Sequence, residues 1–279
     1  MISRFYNDWQ IQSQSTIYNE IELFRLLAKL LSTHLPTVFS DETHGNVAQV
    51  EFTSTYIAGL KPTCEISDLL ILVYSNRKKE IRASFLQAKR RSRFYPGPRP
   101  HFSFTGDLHQ YDLLANRPLV KGVNAFNPNP RILADAILPS IGSYGIFYKT
   151  RSFQHVEFYY ASAINIVPRS AAMRKTPMYI PVSGNDHYFT DGHYHELVSC
   201  SRMDKFAHNL IAMTIGSPVE LNNSENSIIK DVVGSHAASN TGVRDFASRN
   251  FNMTENDMRV LEGVPMLLLV ESPEDEFFE

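Results

Sequence analysis

The sequence predicts an α/β protein: a central mixed β-sheet flanked by helices, with an α+β elaboration toward the C-terminus. Three observations lead there. Residues 66–74 form a strand-length run that is apolar on both faces, the pattern of a strand central in a sheet. The chain up to residue 116 then reads helix, strand, strand, strand, helix, elements that pack as helices on a sheet. Finally, 279 residues with 43% hydrophobic and 20% charged content suffice to bury a sizeable core. A core domain over 1–167 is expected, followed by an elaboration or subdomain over 168–279.

Ile17, Phe24, Leu27 and Leu31 recur at helical spacing and predict an amphipathic helix over 16–34. Ser15 or Thr16 would cap it, and Pro36 would stop the chain beyond its end. Glu22, Arg25 and Lys29 form its charged side. Glu20 falls inside the apolar stripe, where an unpaired carboxylate is costly. Residues 47–57 alternate as a strand, 66–74 is the central strand, and 76–79 is a polar connection to a third strand over 80–89. Residues 91–104, with Pro96, Gly97, Pro98 and Pro100, read as an irregular loop, and 107–116 as a short helix. After a break at Pro128 and Pro130, strands are expected over 144–149 and 156–166, helices over 197–215 and 227–239, and a late strand over 264–271. Met203, Phe206, Leu210 and Met213 share a helical spacing and read as core.

The formal net charge is only −2, but it is unevenly spread. Between Arg77 and Arg99 nine basic residues (Arg77, Lys78, Lys79, Arg82, Lys89, Arg90, Arg91, Arg93 and Arg99) face the single acid Glu80. Such a belt, interleaved with Phe94 and Tyr95, is a footprint for phosphate binding. The chain ends on an acidic tail carrying Glu271, Glu274, Asp275, Glu276 and Glu279. No basic stretch followed by an apolar run opens the chain, and the longest apolar runs are too short to span a bilayer, so neither signal peptide nor membrane partner is expected. Cys64 and Cys200 form no metal-ligand spacing and no disulfide framework, which suits a reducing, cytoplasmic setting.

Side chains alternate along a strand, so Phe85, Gln87 and Lys89 share one face. If residues 76–79 close a hairpin, Ser75 pairs with Glu80 and Asp68 stands opposite Gln87, about 5 Å away between Cβ atoms. Lys89 is then its diagonal neighbour at roughly 7–8 Å. A carboxylate is a hard ligand for Mg²⁺ or Mn²⁺, and an amide adds an uncharged oxygen. A lysine beside them can orient a water or offset phosphate charge. Glu20, carried by a helix that must pack on this sheet, could reach in as a further ligand.

These elements resemble the PD-(D/E)xK nuclease superfamily. Ile66-Ser67-Asp68-Leu69-Leu70 resembles its "PD-hydrophobic" element with Ser67 in place of proline, and Gln87-Ala88-Lys89 its (D/E)xK element with glutamine first. The Q-x-K form is similar to Mrr-type restriction endonucleases and related defence nucleases, where it is compatible with activity. Gln110 resembles the glutamine motif of RecB-type members, although Leu114 stands where tyrosine usually follows. The resemblance covers residues from about 16 to 117, with extension to 166. It implies a restriction-endonuclease-like core and a metal-dependent nuclease acting on double-stranded DNA, with a role in restriction or anti-phage defence. Asp68, Gln87, Lys89 and Glu20 would be catalytic, with Asp68, Gln87 and Glu20 on the metal. Arg90, Arg91, Arg93, Lys78, Lys79 and Gln110 would contact nucleic acid. A free nuclease endangers its host, so control by a homo-oligomer or a regulatory protein partner is expected.

Two other readings compete. Glutamine at position 87 removes one negative charge from the metal site, which favours a catalytically silent nuclease fold that binds nucleic acid or protein. Asp186, His187, Asp191, His193, His195 and Glu196 form a second cluster, in which His193 and His195 would share a strand face and could bind Zn²⁺ or Fe²⁺. No nucleophile elbow and no glycine-rich phosphate fingerprint is present.

Overall fold

A hairpin of two long strands, β4 (Leu69–Ser75) and β5 (Glu80–Arg91), forms the middle of the molecule. The computed structural model describes residues 2–35, 37–40, 48–91, 101–123, 128–149, 155–181, 188–192, 194–199, 201–221, 227–261 and 264–272. All seven positions of β4 are buried. Leu69, Ile71 and Val73 enter the core on one face of the sheet, Leu70, Leu72 and Tyr74 the core on the other. This two-sided burial is why the run is apolar throughout rather than alternating. The turn at 76–79 places Lys79 in the left-handed region (φ 51°) and pairs Ser75 with Glu80, the register expected from the sequence.

From one edge, the large sheet runs β1 (Thr37–Ser40), β16 (Met266–Glu271), β4, β5, β8 (Gly142–Lys149), β9 (Val156–Ser162) and β14 (Ser201–Arg202). A short β15 (Ser217–Val219) pairs with the first part of β5, on residues 81–83, and β8 takes up residues 85–91. β16 is parallel to β4 and β8 parallel to β5; the other pairs are antiparallel, so the sheet is mixed. Three smaller sheets stand beside it. They comprise β3 (Thr63–Glu65), β2 (Gln49–Phe52) and β7 (Val120–Gly122); β10 (Val167–Pro168), β11 (Lys175–Pro181) and β6 (His101–Asp107); and β12 (Tyr188–Asp191) with β13 (Tyr194–Leu197).

Helices cover both faces. α1 (Ile2–Ser15), α2 (Glu20–His34) and α4 (Met203–Ile211) share one core through Phe5, Trp9, Leu27 and Phe206. α3 (Leu108–Asn116), α5 (Ser227–Ser239) and α6 (Thr241–Phe251) share the other through Leu113, Ile229, Val233 and Phe246. Buried His236 ties α5 to the sheet edge, bonding Ser40 Oγ and Pro265 O at 2.8 Å each. Among the described residues no helix is long and apolar enough to cross a membrane.

Several local expectations are corrected. The helix expected over 16–34 starts at Glu20, capped by Asn19 Oδ1, which accepts from Glu22 N at 2.8 Å. Ser15 and Thr16 instead bond back to Gln12 O and finish a separate helix, α1, that the periodicity did not reveal. Ile17 accordingly lies outside the helix and is exposed. The strand expected over 47–57 is only four residues long and belongs to a small sheet, because Asp112 draws Ser54 and Thr55 out of strand geometry. Within 91–104, His101 onward is strand, paired to β11. The helix expected over 197–215 shrinks to Met203–Ile211, with strands before it, although Met203, Phe206, Leu210 and Met213 are all core as expected. The strand expected over 156–166 ends at Ser162 in a short 3-10 turn. The segment 168–279 adds β14, β15 and β16 to the large sheet and pairs β11 with β6.

Between β5 and β8 the chain forms β6, α3 and β7, and α3 lies tightly on the start of β8. A Cβ at Gly142 would stand 2.4 Å from Leu114 O and 2.9 Å from Leu114 Cβ. Gly142→Ala is therefore expected to destabilise the protein by about 1–3 kcal/mol, read as a lower urea midpoint with an unchanged m-value.

Candidate active site at the open end of the hairpin

The β4–β5 ladder closes at its turn and opens where Asp68 precedes β4. Asp68 N donates to Leu86 O at 3.2 Å, and Met266 N donates to Asp68 O at 3.2 Å, so the backbone of Asp68 is fixed from both sides. Its side chain lies across β5. Asp68 Oδ2 accepts from Ala88 N at 2.6 Å and from the Gln87 amide nitrogen in a short hydrogen bond. Gln87 is 2% exposed, and its Oε1 has no hydrogen-bond partner among the described residues. Lys89 follows on the same face, since Ala88 between them points into the opposite core. The structure thus brings Asp68, Gln87 and Lys89 together as the hairpin register requires.

Burial pushes the Asp68 carboxyl up to about 6. The Lys89 ammonium and the Ala88 N–H work against that rise, while the carboxylates of Glu65 and Glu20 add to it. Glu65, at the end of β3, is itself raised by burial and lowered by Lys89. One lysine therefore acts on two partly desolvated carboxylates. Glu65 was not among the residues picked out from the sequence. Its signal is a lone acid flanked by Cys64 and Ile66, three residues before Asp68. Tyr144 pairs with Gln87 in the β5–β8 ladder; its buried hydroxyl also has no partner among the described residues. Burial, with nearby Cys64, Asp107, Tyr111 and Asp68, holds that hydroxyl well above its usual range.

Glu20 occupies the first position of α2, and its Oε1 accepts from Arg90 N at 3.0 Å. A carboxylate there is favoured by the helix N-terminus and satisfies a strand-end amide, so the awkward placement inferred from periodicity disappears. Glu20 acts electrostatically on Asp68, yet its hydrogen bond ties it to the backbone of β5.

The basic belt divides. Lys78 and Lys79 sit on the turn and Arg90 and Arg91 at the far end of β5, separated by roughly 35–40 Å at the rise of a strand. Between them Arg82 is buried, bonding Glu80 Oε1 at 2.6 Å and His195 O at 2.9 Å. These residues do not form one continuous face. A cavity of about 660 Å³ lined by Lys78, Lys79, Tyr194 and Phe251 lies at the turn, away from Asp68. Gln110 is on α3 and partly buried. Arg93, Phe94, Tyr95 and Arg99 lie outside the described residues.

The histidine cluster is not assembled by what is described. Asp186, His187 and His193 lie outside the described residues, as does the side chain of Asp191. Adjacent strand positions send His195 and Glu196 to opposite faces. His195 is exposed, stacked on Tyr188 at 4.6 Å and bonded to Thr190 Oγ1 at 2.9 Å. Glu196 is fully buried and accepts from Ser140 N at 2.8 Å. Among the described residues no three His, Cys, Asp or Glu side chains are grouped to hold a metal ion.

Compared with known proteins, the chain matches no family model, no curated protein and no solved structure.

The Asp68 environment has a signed consequence. A carboxyl raised from an unfolded value near 3.9 to about 6 contributes stability below about pH 4, which is lost as pH rises through 6. Asp68→Asn retains an oxygen for both donors and removes the buried charge. It is expected to raise stability at pH 7 by roughly 1–3 kcal/mol and leave it nearly unchanged at pH 4, measured by denaturant titration at both pH values.

Proposed function

We propose that the protein is a metal-dependent nuclease that hydrolyses phosphodiester bonds, a DNA endonuclease serving restriction or anti-phage defence in the cytoplasm. The observation that carries this reading is the convergence of the Asp68 carboxylate, the Gln87 amide and Lys89 on one face at the open end of the hairpin. The chain runs β4, β5, β6, α3, β7, β8, and the return of β8 parallel to β5 after α3 supports the restriction-endonuclease-like core implied by the motif.

The donor set suits Mg²⁺ or Mn²⁺. Mg²⁺ keeps several waters and is held by one or two carboxylates, so it does not require three clustered acids. Asp68, Glu65 and Gln87 Oε1 are hard oxygen donors, and Gln87 Oε1 is a buried acceptor without a donor among the described residues. Rotation of the Gln87 amide exchanges its oxygen and nitrogen. An oxygen beside Asp68 Oδ2 is repulsive alone and favourable next to a cation. Asp68 and Gln87 would hold the ion, with Glu65 and Glu20 the other acids whose charge reaches Asp68. When bound, the ion supplies charge stabilisation at a phosphoryl oxygen and lowers the pKa of an attacking water.

The chain's own groups do the rest. Lys89 offsets the charge of Asp68 and Glu65 and can hold a water or a phosphate oxygen on their side of the sheet. Arg90 and Arg91 stand next along β5 to receive backbone phosphates, giving affinity without sequence information. Control by self-association or a regulatory protein belongs to the same proposal.

A silent nuclease fold that binds nucleic acid or protein is the second reading. It is favoured by Asp68 Oδ2, whose two hydrogen bonds to Gln87 and Ala88 already lock the strand end without any ion. Cleavage of supercoiled plasmid with Mg²⁺ or Mn²⁺ separates the two. Lys89→Ala and Asp68→Asn are each expected to lower the rate by at least about 100-fold, and His193→Ala to leave it unchanged. Nicking by the wild type that survives both substitutions would sink the nuclease proposal, and binding without any nicking would establish the silent fold.

A further inference from the structure

Beside the candidate site, the link between α1 and α2 carries a ring with two cations on it. Arg90 Cζ stands 5.1 Å and Lys149 Nζ 5.9 Å from the centroid of Tyr18. The ring is anchored in the sheet. Its hydroxyl donates to Arg91 O in a short bond and approaches Phe147 O at 3.2 Å, while Lys149 N donates to it at 3.1 Å. Arg90 Nη1 also donates to Tyr18 O at 2.7 Å, so the guanidinium is held at two points.

Both cations stand within about 6 Å of one ring centroid, and an anion that reached both would offset their mutual repulsion. Neither Arg90 nor Lys149 is ion-paired among the described residues, and both are exposed. The nearby acid, Glu20, bonds the backbone N–H of Arg90 rather than its guanidinium. Strand alternation puts Arg90 and Lys149 on the α2 side of the sheet, with Ala88 and Phe147, and Lys89 on the other side. The two cations thus lie round the end of the sheet from Asp68 and Lys89.

We infer that Tyr18, Arg90 and Lys149 form a phosphate clamp that takes a phosphodiester of a nucleic-acid backbone flanking the scissile one. The choice of a nucleic acid as ligand rests on the nuclease proposal above. Tyr18 is the positioning residue: it spaces the two cations and fixes them to the ends of β5 and β8. Lys149 is its least predictable member from sequence, since β8 meets β5 only after an excursion of some fifty residues.

Fluorescence anisotropy with a short labelled DNA duplex, in EDTA and over a range of salt, tests the clamp. Each phosphate contact contributes about 0.9 to the slope of log affinity against log salt. Lys149→Gln and Arg90→Gln are each expected to reduce the slope by about 0.9 and to weaken binding roughly three- to tenfold at ~100 mM salt. Tyr18→Leu is expected to weaken binding as both do together, and Tyr18→Phe, which keeps the ring, to weaken it less. Lys149 is exposed, so its substitution reads charge rather than folding. Wild-type binding that Lys149→Gln and Arg90→Gln leave unchanged overturns the clamp, as does a wild type that does not bind the duplex. Cleavage of the same duplex with Mg²⁺, followed in parallel, judges the nuclease proposal separately: clamp-dependent binding without cleavage keeps the clamp and rejects the nuclease.

Discussion

The register of one hairpin sets the geometry on which the rest depends. With Ser75 opposite Glu80, the ladder runs down to Leu69 opposite Leu86, and the next side chains, Asp68 and Gln87, meet beyond its last pair. A slip of one residue would turn Gln87 and Lys89 into the core filled by Leu86 and Ala88. The slip is opposed along the whole length of β4, whose two faces feed two different cores. Parallel neighbours reinforce it, β16 against β4 and β8 against β5. Core packing and the position of the polar trio are therefore one constraint rather than two.

Buried carboxylates elsewhere in the molecule show what a purely structural acid looks like here. Asp112 is fully buried, and both its oxygens are occupied by Ser54, Thr55 and Asn116, which pin the segment after β2 to α3. Glu157 is held by His155, Tyr6 and Arg202. The group at Asp68 is built differently. Its desolvated acids share one lysine, and the amide beside them leaves a buried oxygen without a donor among the described residues. Partial satisfaction of a buried polar group is destabilising, and proteins retain it where function requires it. Buried oxygens without a partner among the described residues occur elsewhere too, as at Glu196 Oε1, so what singles out this end of the sheet is two desolvated acids sharing one lysine at the motif.

Much of the sheet was legible because its signals are local. The two-sided apolar run of β4, the polar turn and the strand after it lie within some twenty-five residues, and alternation alone gives the shared face of Gln87 and Lys89. The cap of α2 was misread because Ser15 and Thr16 are good capping types; only the fold shows that they close α1 and leave Asn19 to open α2. Glu20 looked buried on a helical wheel drawn from the wrong start. Glu65 and Tyr144 were missed for another reason. Their closeness to Asp68 comes from a side sheet and a crossover, which periodicity within one segment does not report. The basic belt shows the converse error, for residues adjacent in sequence are carried apart when a twelve-residue strand runs between them.

The joint between α2 and β5 decides how firmly the candidate site is held. Arg90 N–H bonds Glu20, the Arg90 guanidinium bonds Tyr18 O, and the Tyr18 hydroxyl returns to Arg91 O, so three consecutive links bracket the residue after Lys89. Strand ends ordinarily fray, because their last amides lack partners. Here the link between two helices supplies those partners on one side, and β8 supplies them on the other through its pairing with residues 85–91. Lys89 is consequently fixed in a segment bound along both edges. The same helix cap that excludes Ile17 from α2 brings Tyr18 within reach of the sheet, so an error in the helix boundary and the omission of Tyr18 have one physical origin.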